Sequence, residues 1–414
     1  MKFAPRPEND FADYIRTYYE ACRYHCDKIE AIAGKWMFRD LLPGMSDFDT
    51  RFIVNDGMTV DDWCELSTIM GETHLRLCEK YPCWARNFEH LPGVNLTWSE
   101  LTSERNYYPE YHQWTYYLTE DQKRLGAALD TLARRPWDEK DEYFHLKKFC
   151  LYFGRYNRTI DPAINLGVHE NKYPLHSRIM HYFNPPVHSA VCILEKRNIC
   201  GKLDAYEIAE RYFTGLRCWD LIREILHAQY EIPKWYEEPH VSRLEDALED
   251  ALGEILGRLR DAVTLIPEEA GADIGAWRAA LQEVPVDPAL VIFDNAKFSR
   301  LMKGRLHFYG HAPAHFDTTW LIQNELGRIG NSFFRMPFRT FWKIRTGETV
   351  HDPVTILDEL KGDLLSPSEV KGTKAFARLT PDEWEVGKEH EIAADIVEVF
   401  DEFFRALNKI SEAV

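Results

Sequence analysis

A glycine turn followed by two aspartates one residue apart constrains this chain more than any other feature. The stretch GKWMFRDLLPGMSDFDTRFIV, residues 34–54, leads from Gly34 through a loop of eleven residues to Ser46-Asp47-Phe48-Asp49, then straight into the apolar RFIV. On an extended chain alternate side chains share a face, so Asp47 and Asp49 point the same way. Two carboxylates held that close repel unless positive charge sits between them, and a hard divalent cation supplies it. The stretch therefore reads as a strand, KIEAIA, ending in a turn at Gly34, and a second strand opened by a pair of metal-binding acids.

The neighbouring segments read as a small α/β unit. DFADYIRTYYEACRYHCDK has helical spacing of its apolar positions, NDG marks a turn, and Thr59 caps a helix through EKYP with acids in its first turn. GVNLTWSEL and HQWTYYLT read as two further strands. From TEDQKRLGAALDTLARR onward the periodicity is helical, and PALVIFDN and RLHFYGHA read as short strands ahead of a closing amphipathic helix, HEIAADIVEVFDEFFRALNKI. The expected fold is α+β: an α/β unit over residues 1–118, a helical domain over 119–285, and a mixed or helical region over 286–414 that is either a domain of its own or continuous with the helices.

The 414 residues carry a net charge of −17, which argues against a broad phosphate-backbone footprint and hence against nucleic acid as partner. Nine cysteines, none in a CxxC pair, read as reduced thiols. No apolar run reaches membrane length and the N-terminus lacks an apolar core, so a soluble, cytoplasmic protein with no membrane partner is expected.

The strand, the Gly34 turn, the spacing and the Ser46-Asp47-Phe48-Asp49 opening of the next strand together resemble the signature of the DNA polymerase β-like nucleotidyltransferase superfamily. The likeness is close over residues 28–55 and extends in element order over the first 120 or so. It implies that Asp47 and Asp49 hold two Mg²⁺ ions and that the glycine turn binds the phosphates of an NTP, with Gly34 and Ser46 contributing. Physically, two such ions about 4 Å apart activate the α-phosphate and neutralise departing pyrophosphate. Lys35 stands where the family has serine, and with Arg39 and Arg51 it is a candidate phosphate contact.

The family also implies a third carboxylate on a later strand, and there the chain departs from it. Asn95 occupies the matching position in GVNLTWSELT, and Asn cannot act as a base. Glu100 is the nearest acid, reaching the site only if a bulge turns it over, with Glu104 beyond it. The resemblance implies an Mg²⁺-dependent enzyme moving a nucleoside monophosphate from an NTP to a small-molecule acceptor, as in the antibiotic-modifying or natural-product branch. A cyclic-oligonucleotide synthase and a non-catalytic nucleotidyltransferase-fold protein, such as a toxin–antitoxin component, are the alternatives.

Three further stretches carry candidate chemistry. In HFYGHAPAHFD, His307, His311, His315 and Asp317 have ligand-like spacing, but Gly310 and Pro313 argue against the helix that would give it meaning. In NSFFRMPFRTFWKIRTGE, Arg335, Arg339, Lys343 and Arg345 alternate with aromatics, a pattern that stacks bases or, more plainly, packs a core with its cations turned outward. Lys147, Lys148, Arg155 and Arg158 open the helical domain, where triphosphate contacts would lie by analogy of fold.

Overall fold

The computed structural model describes residues 9–34, 40–41, 49–82, 90–105, 107–114, 116–152, 184–215, 219–221, 223–224, 251–313, 316, 318–381 and 384–414. The architecture is mixed α/β, mostly helical, with one four-stranded sheet. Helix α1 (Asn9–His25) leads into β1 (Ile29–Gly34), which pairs antiparallel with β2 (Thr50–Val54) so that Gly34 lies opposite Thr50. Helix α2 (Val60–Lys80) starts at Thr59, whose hydroxyl accepts from the Asp62 amide while the Asp62 carboxylate accepts from Thr59 N–H. This reciprocal box satisfies two orphan donors, as the sequence signals.

After α2 the chain returns to β3 (Leu96–Thr97), parallel to β2, and then to α3 (Trp98–Thr102). The strand expected over GVNLTWSEL is thus only two residues long. Thr97 and Glu100 form a second capping box that turns the chain into a helix at Trp98. A 3₁₀ turn (Pro109–Gln113) precedes β4 (Tyr116–Thr119), antiparallel to β1 on its other side, giving the order β3-β2-β1-β4. A register irregularity between Ile29 and Ala31 puts Ile29 and Ile32 on one face and Ala31 and Ala33 on the other. Both faces of the sheet are covered, which is why β2 is buried at all five positions.

Helices α4 (Gln122–Ala133), α5 (Glu139–Tyr152), α6 (Asn184–Glu195) and α7 (Lys202–Tyr212) follow, with a helical segment at 251–259 and α8 (Ile274–Glu283). Helices α5 to α8 share one core, built around Phe149, Val191, Tyr206, Trp219 and Trp277. Beyond it, the two segments expected as strands are helices: α9 (Pro288–Ser299) and α10 (Met302–His311). Asp287 accepts from Ala289 N–H with Pro288 in the first turn, start signals that outrank the β-rich composition of PALVIFDN. Gly310 does not break α10, because it sits one residue from its end.

Helix α11 (Thr319–Arg328) continues through a π-helical turn (Ile329–Arg335) into α12 (Met336–Thr346), followed by α13 (Pro367–Leu379) and the 24-residue α14 (Glu389–Glu412). These C-terminal helices share their core with the sheet: Phe52, Met70, Leu306, Phe334, Phe403 and Leu407 belong to one buried cluster. Helices α2 and α10 cross at glycine, with Gly304 N–H donating to Ser67 Oγ at 2.9 Å. Among the described residues no helix is long and apolar enough to cross a membrane, and the seven described cysteines carry no disulfide.

Candidate functional site

The Gly34–Thr50 pairing puts Asp49, the residue just before β2, beside the glycine end of β1. Two residues on, Arg51 shares that side of the strand and is 5% exposed. Its guanidinium donates through Nε (3.1 Å) and Nη2 (2.6 Å) to Glu110 Oε1 and through Nη1 to Thr50 O. Nη1 also stands 3.8 Å from Asp49 Oδ1. Burial works to lower the Arg51 pKa, but the Glu110 and Asp49 carboxylates outweigh it and raise the group above its ordinary value. Gly93 lies flat against this guanidinium; a Cβ there would come within 3.1 Å of Nη1.

His90 completes the cluster. Its Nδ1 donates to Leu91 O at 2.9 Å, while Nε2 faces Asp49 Oδ1 at 3.6 Å. The same Leu91 carbonyl accepts from Arg305 Nη2 on α10, and Arg305 is paired with buried Glu325 at 2.7 Å. The segment carrying His90 and Gly93 is therefore held from the C-terminal helices as well as from the sheet. Asp40, between Gly34 and Asp49 in sequence, accepts from Lys202 N–H at the start of α7 at 2.5 Å.

Of the residues expected at the site, Gly34, Asp49 and Arg51 come together at one end of the sheet, while Lys35, Arg39, Ser46 and Asp47 lie outside the described residues. Glu100 does not join them. Thr97 pairs with Val54, so the parallel register carries Glu100 to the opposite end of β2, about 15 Å from Asp49 at ~3.3 Å per residue. There it accepts from Thr97 N–H and forms a two-point pair with Arg300, both arms 2.6 Å. Burial pushes its carboxyl up, yet Arg300 wins and holds it below the usual range.

A group whose folded pKa lies below its unfolded one adds stability that is full above the unfolded value and is lost as pH falls through the folded one. Glu100→Gln should cost about 2 kcal/mol at pH 7. It should also flatten the loss of stability below pH ~4, as read by urea unfolding. A variant as stable as wild type at both pH values would remove the Arg300 pair from the account.

Asn95 has a structural task. Fully buried, it accepts from Phe52 N–H at 2.9 Å and donates to Pro92 O and Gly93 O, tying β3 to β2. In the aromatic-basic stretch Phe333, Phe334, Phe338 and Phe341 are buried, and Arg335, Arg339 and Arg345 bond Thr380 O, His351 O and Asp363. It is core with its cations turned outward. His307 and His311 stand on the last turn of α10 with rings 4.4 Å apart, and His315 and Asp317 lie outside the described residues, as do Arg155 and Arg158. Sequence reasoning missed Glu110, in the 3₁₀ turn, and His90, outside any helix or strand: each is a single acid or imidazole in its segment, and only the fold brings them to Arg51 and Asp49.

No family model, curated protein or solved structure matches this chain.

Proposed function

We propose that the N-terminal unit binds a nucleoside triphosphate with Mg²⁺ at the Gly34–Asp49 end of the sheet and transfers its nucleoside monophosphate to a small-molecule hydroxyl. One observation carries this reading. The strand register puts Asp49 at the glycine end of β1, across the antiparallel β1–β2 pair. In the transfer, the acceptor oxygen bonds the α-phosphorus as the bond to the bridging pyrophosphate oxygen breaks.

The donor chemistry fits the cation. Asp49 offers a hard carboxylate, with Arg51 Nη1 at 3.8 Å and His90 Nε2 at 3.6 Å from its Oδ1. Arg51 spends its closest bonds on Glu110. Asp49, with Asp47, would hold Mg²⁺, which supplies charge neutralisation for the triphosphate when bound. Gly34, at the end of β1, would let phosphate approach the backbone with no side chain in the way, and His90 and Arg51 flank the acid.

A second reading, nucleotide binding without turnover, is favoured by a specific observation. Asn95 and Glu100 are both engaged in structural bonds, and among the described residues β3 carries no acid facing Asp49. Calorimetry of each NTP with Mg²⁺ against wild type and Asp47→Asn/Asp49→Asn separates these readings when combined with an assay for pyrophosphate release. Binding that requires Mg²⁺ and falls at least 100-fold, about 2.7 kcal/mol, in the double variant is expected. Pyrophosphate release supports the transferase and its absence supports the binder; no Mg²⁺-dependent binding of any NTP defeats both.

A further inference from the structure

A separate cluster lies in the helical core. His145 on α5 and His188 and Cys192 on α6 are all buried, and their donor atoms lie within 4.8 Å of one another. His188 and Cys192 are four residues apart on one helix, so they stand one turn apart on the face turned to α5. We propose that these three side chains bind a borderline-soft first-row divalent cation, Zn²⁺ by preference, as a staple between α5 and α6.

The hydrogen bonds around the cluster have the form that metal-ligating imidazoles use. His145 Nε2 is 2.7 Å from Asn198 Oδ1, and the Asn198 amide is oriented by donating from Nδ2 to Asp141 Oδ1 at 3.0 Å. His188 Nε2 is 2.6 Å from Ile199 O. Neither oxygen can donate, so both rings carry their proton on Nε2 and present Nδ1 as a lone-pair donor. Fixing the tautomer through a carbonyl on the far nitrogen is what outer-shell partners of a metal site do.

The sulfur is prepared in the same way. Ile199 N–H donates to Cys192 Sγ at 3.3 Å, so one residue of the loop after α6 serves both the imidazole and the thiol. By contrast, the contacts within the cluster are long. Cys192 Sγ is 3.9 Å from each ring nitrogen of His188, and His145 Nδ1 is 3.4 Å from Ser189 Oγ. An ion at about 2.0 Å from nitrogen and 2.3 Å from sulfur asks for a small contraction of these spacings. Two imidazoles with a thiol exclude Mg²⁺ and Ca²⁺, which take oxygen. Ser189 Oγ or a water fills the fourth position, and binding releases the Cys192 proton to solvent.

The full-length protein tests this directly. After chelation, Co²⁺ should bind at one equivalent with a thiolate-to-cobalt charge-transfer band, and Zn²⁺ should displace it and raise the unfolding temperature. Cys192→Ala should lose the band and the thermal shift, His145→Asn should bind at least tenfold more weakly, and Cys150→Ala, in the same core, should keep both. Should Cys192→Ala fail to fold, the wild-type cobalt spectrum and His145→Asn still decide. Absence of the charge-transfer band in wild type, or an unchanged band in Cys192→Ala, overturns the site.

Discussion

Glu110→Gln is expected to destabilise the protein by about 4 kcal/mol, because it leaves the Arg51 guanidinium buried without its counter-charge. The amide keeps the shape of the carboxylate and some of its hydrogen bonding, so the loss measures charge rather than packing. Arg51→Met/Glu110→Gln should recover part of that loss, since removing both partners also removes the desolvated charge. The same change reaches the proposed site. With Glu110 neutral, Arg51 is drawn toward Asp49, now 3.8 Å away, and competes with a cation for that carboxylate. Mg²⁺-dependent nucleotide binding should weaken about tenfold, or 1.4 kcal/mol. Urea unfolding and calorimetry check the two effects separately; a variant with wild-type stability would mean that the pair is not the buried one described.

Gly304→Ala should cost about 3 kcal/mol, because a Cβ there would lie 2.0 Å from the carbonyl oxygen of Ser67 and 3.0 Å from Leu91 Cδ2. The obstacle is backbone, which cannot rotate aside, so α2 and α10 must separate. Gly71 meets Gly304 from the other side, where an added Cβ would come 2.7 Å from Gly304 O. Gly310→Ala, near the end of the same helix with nothing within 4 Å, is the matched control and should hold or slightly raise the unfolding temperature. Equal melting of Gly304→Ala and wild type would show that the helices do not meet at this separation.

Much of the local structure was legible because it depends on local chemistry. Thr59 with Asp62 announces the start of α2, Gly34 ends β1, and the aromatic pattern of DYIRTYYEACRYH gives α1. The misreadings have a common physical source. In GVNLTWSELT, alternation suggests a strand, but Thr97 and Glu100 bond each other's backbone and turn the chain into a helix. PALVIFDN is apolar and β-branched, yet Asp287 and Pro288 start a helix that buries Ile292 and leaves its other residues half-buried or exposed. A short apolar run fits either period, and the cap decides.

The candidate site divides along the same line. Gly34, Asp49 and Arg51 were visible because they lie on or beside two consecutive strands that pair with each other. Glu100 looked available because nothing in the chain near it names Arg300, two hundred residues on. His145, His188 and Cys192 carried one local hint, the four-residue spacing in HSAVC, and His145 lies far off in sequence on another helix.

By itself, then, the sequence determined the helices that carry their own caps and the two strands that end at Gly34 and begin at Thr50, since each follows from signals within a few residues. The tertiary structure alone decided that the C-terminal helices share their core with the sheet, that Arg51 is neutralised by Glu110, and that two histidines and a cysteine converge between α5 and α6. Those outcomes depend on burial and on partners distant along the chain, which local propensity does not encode.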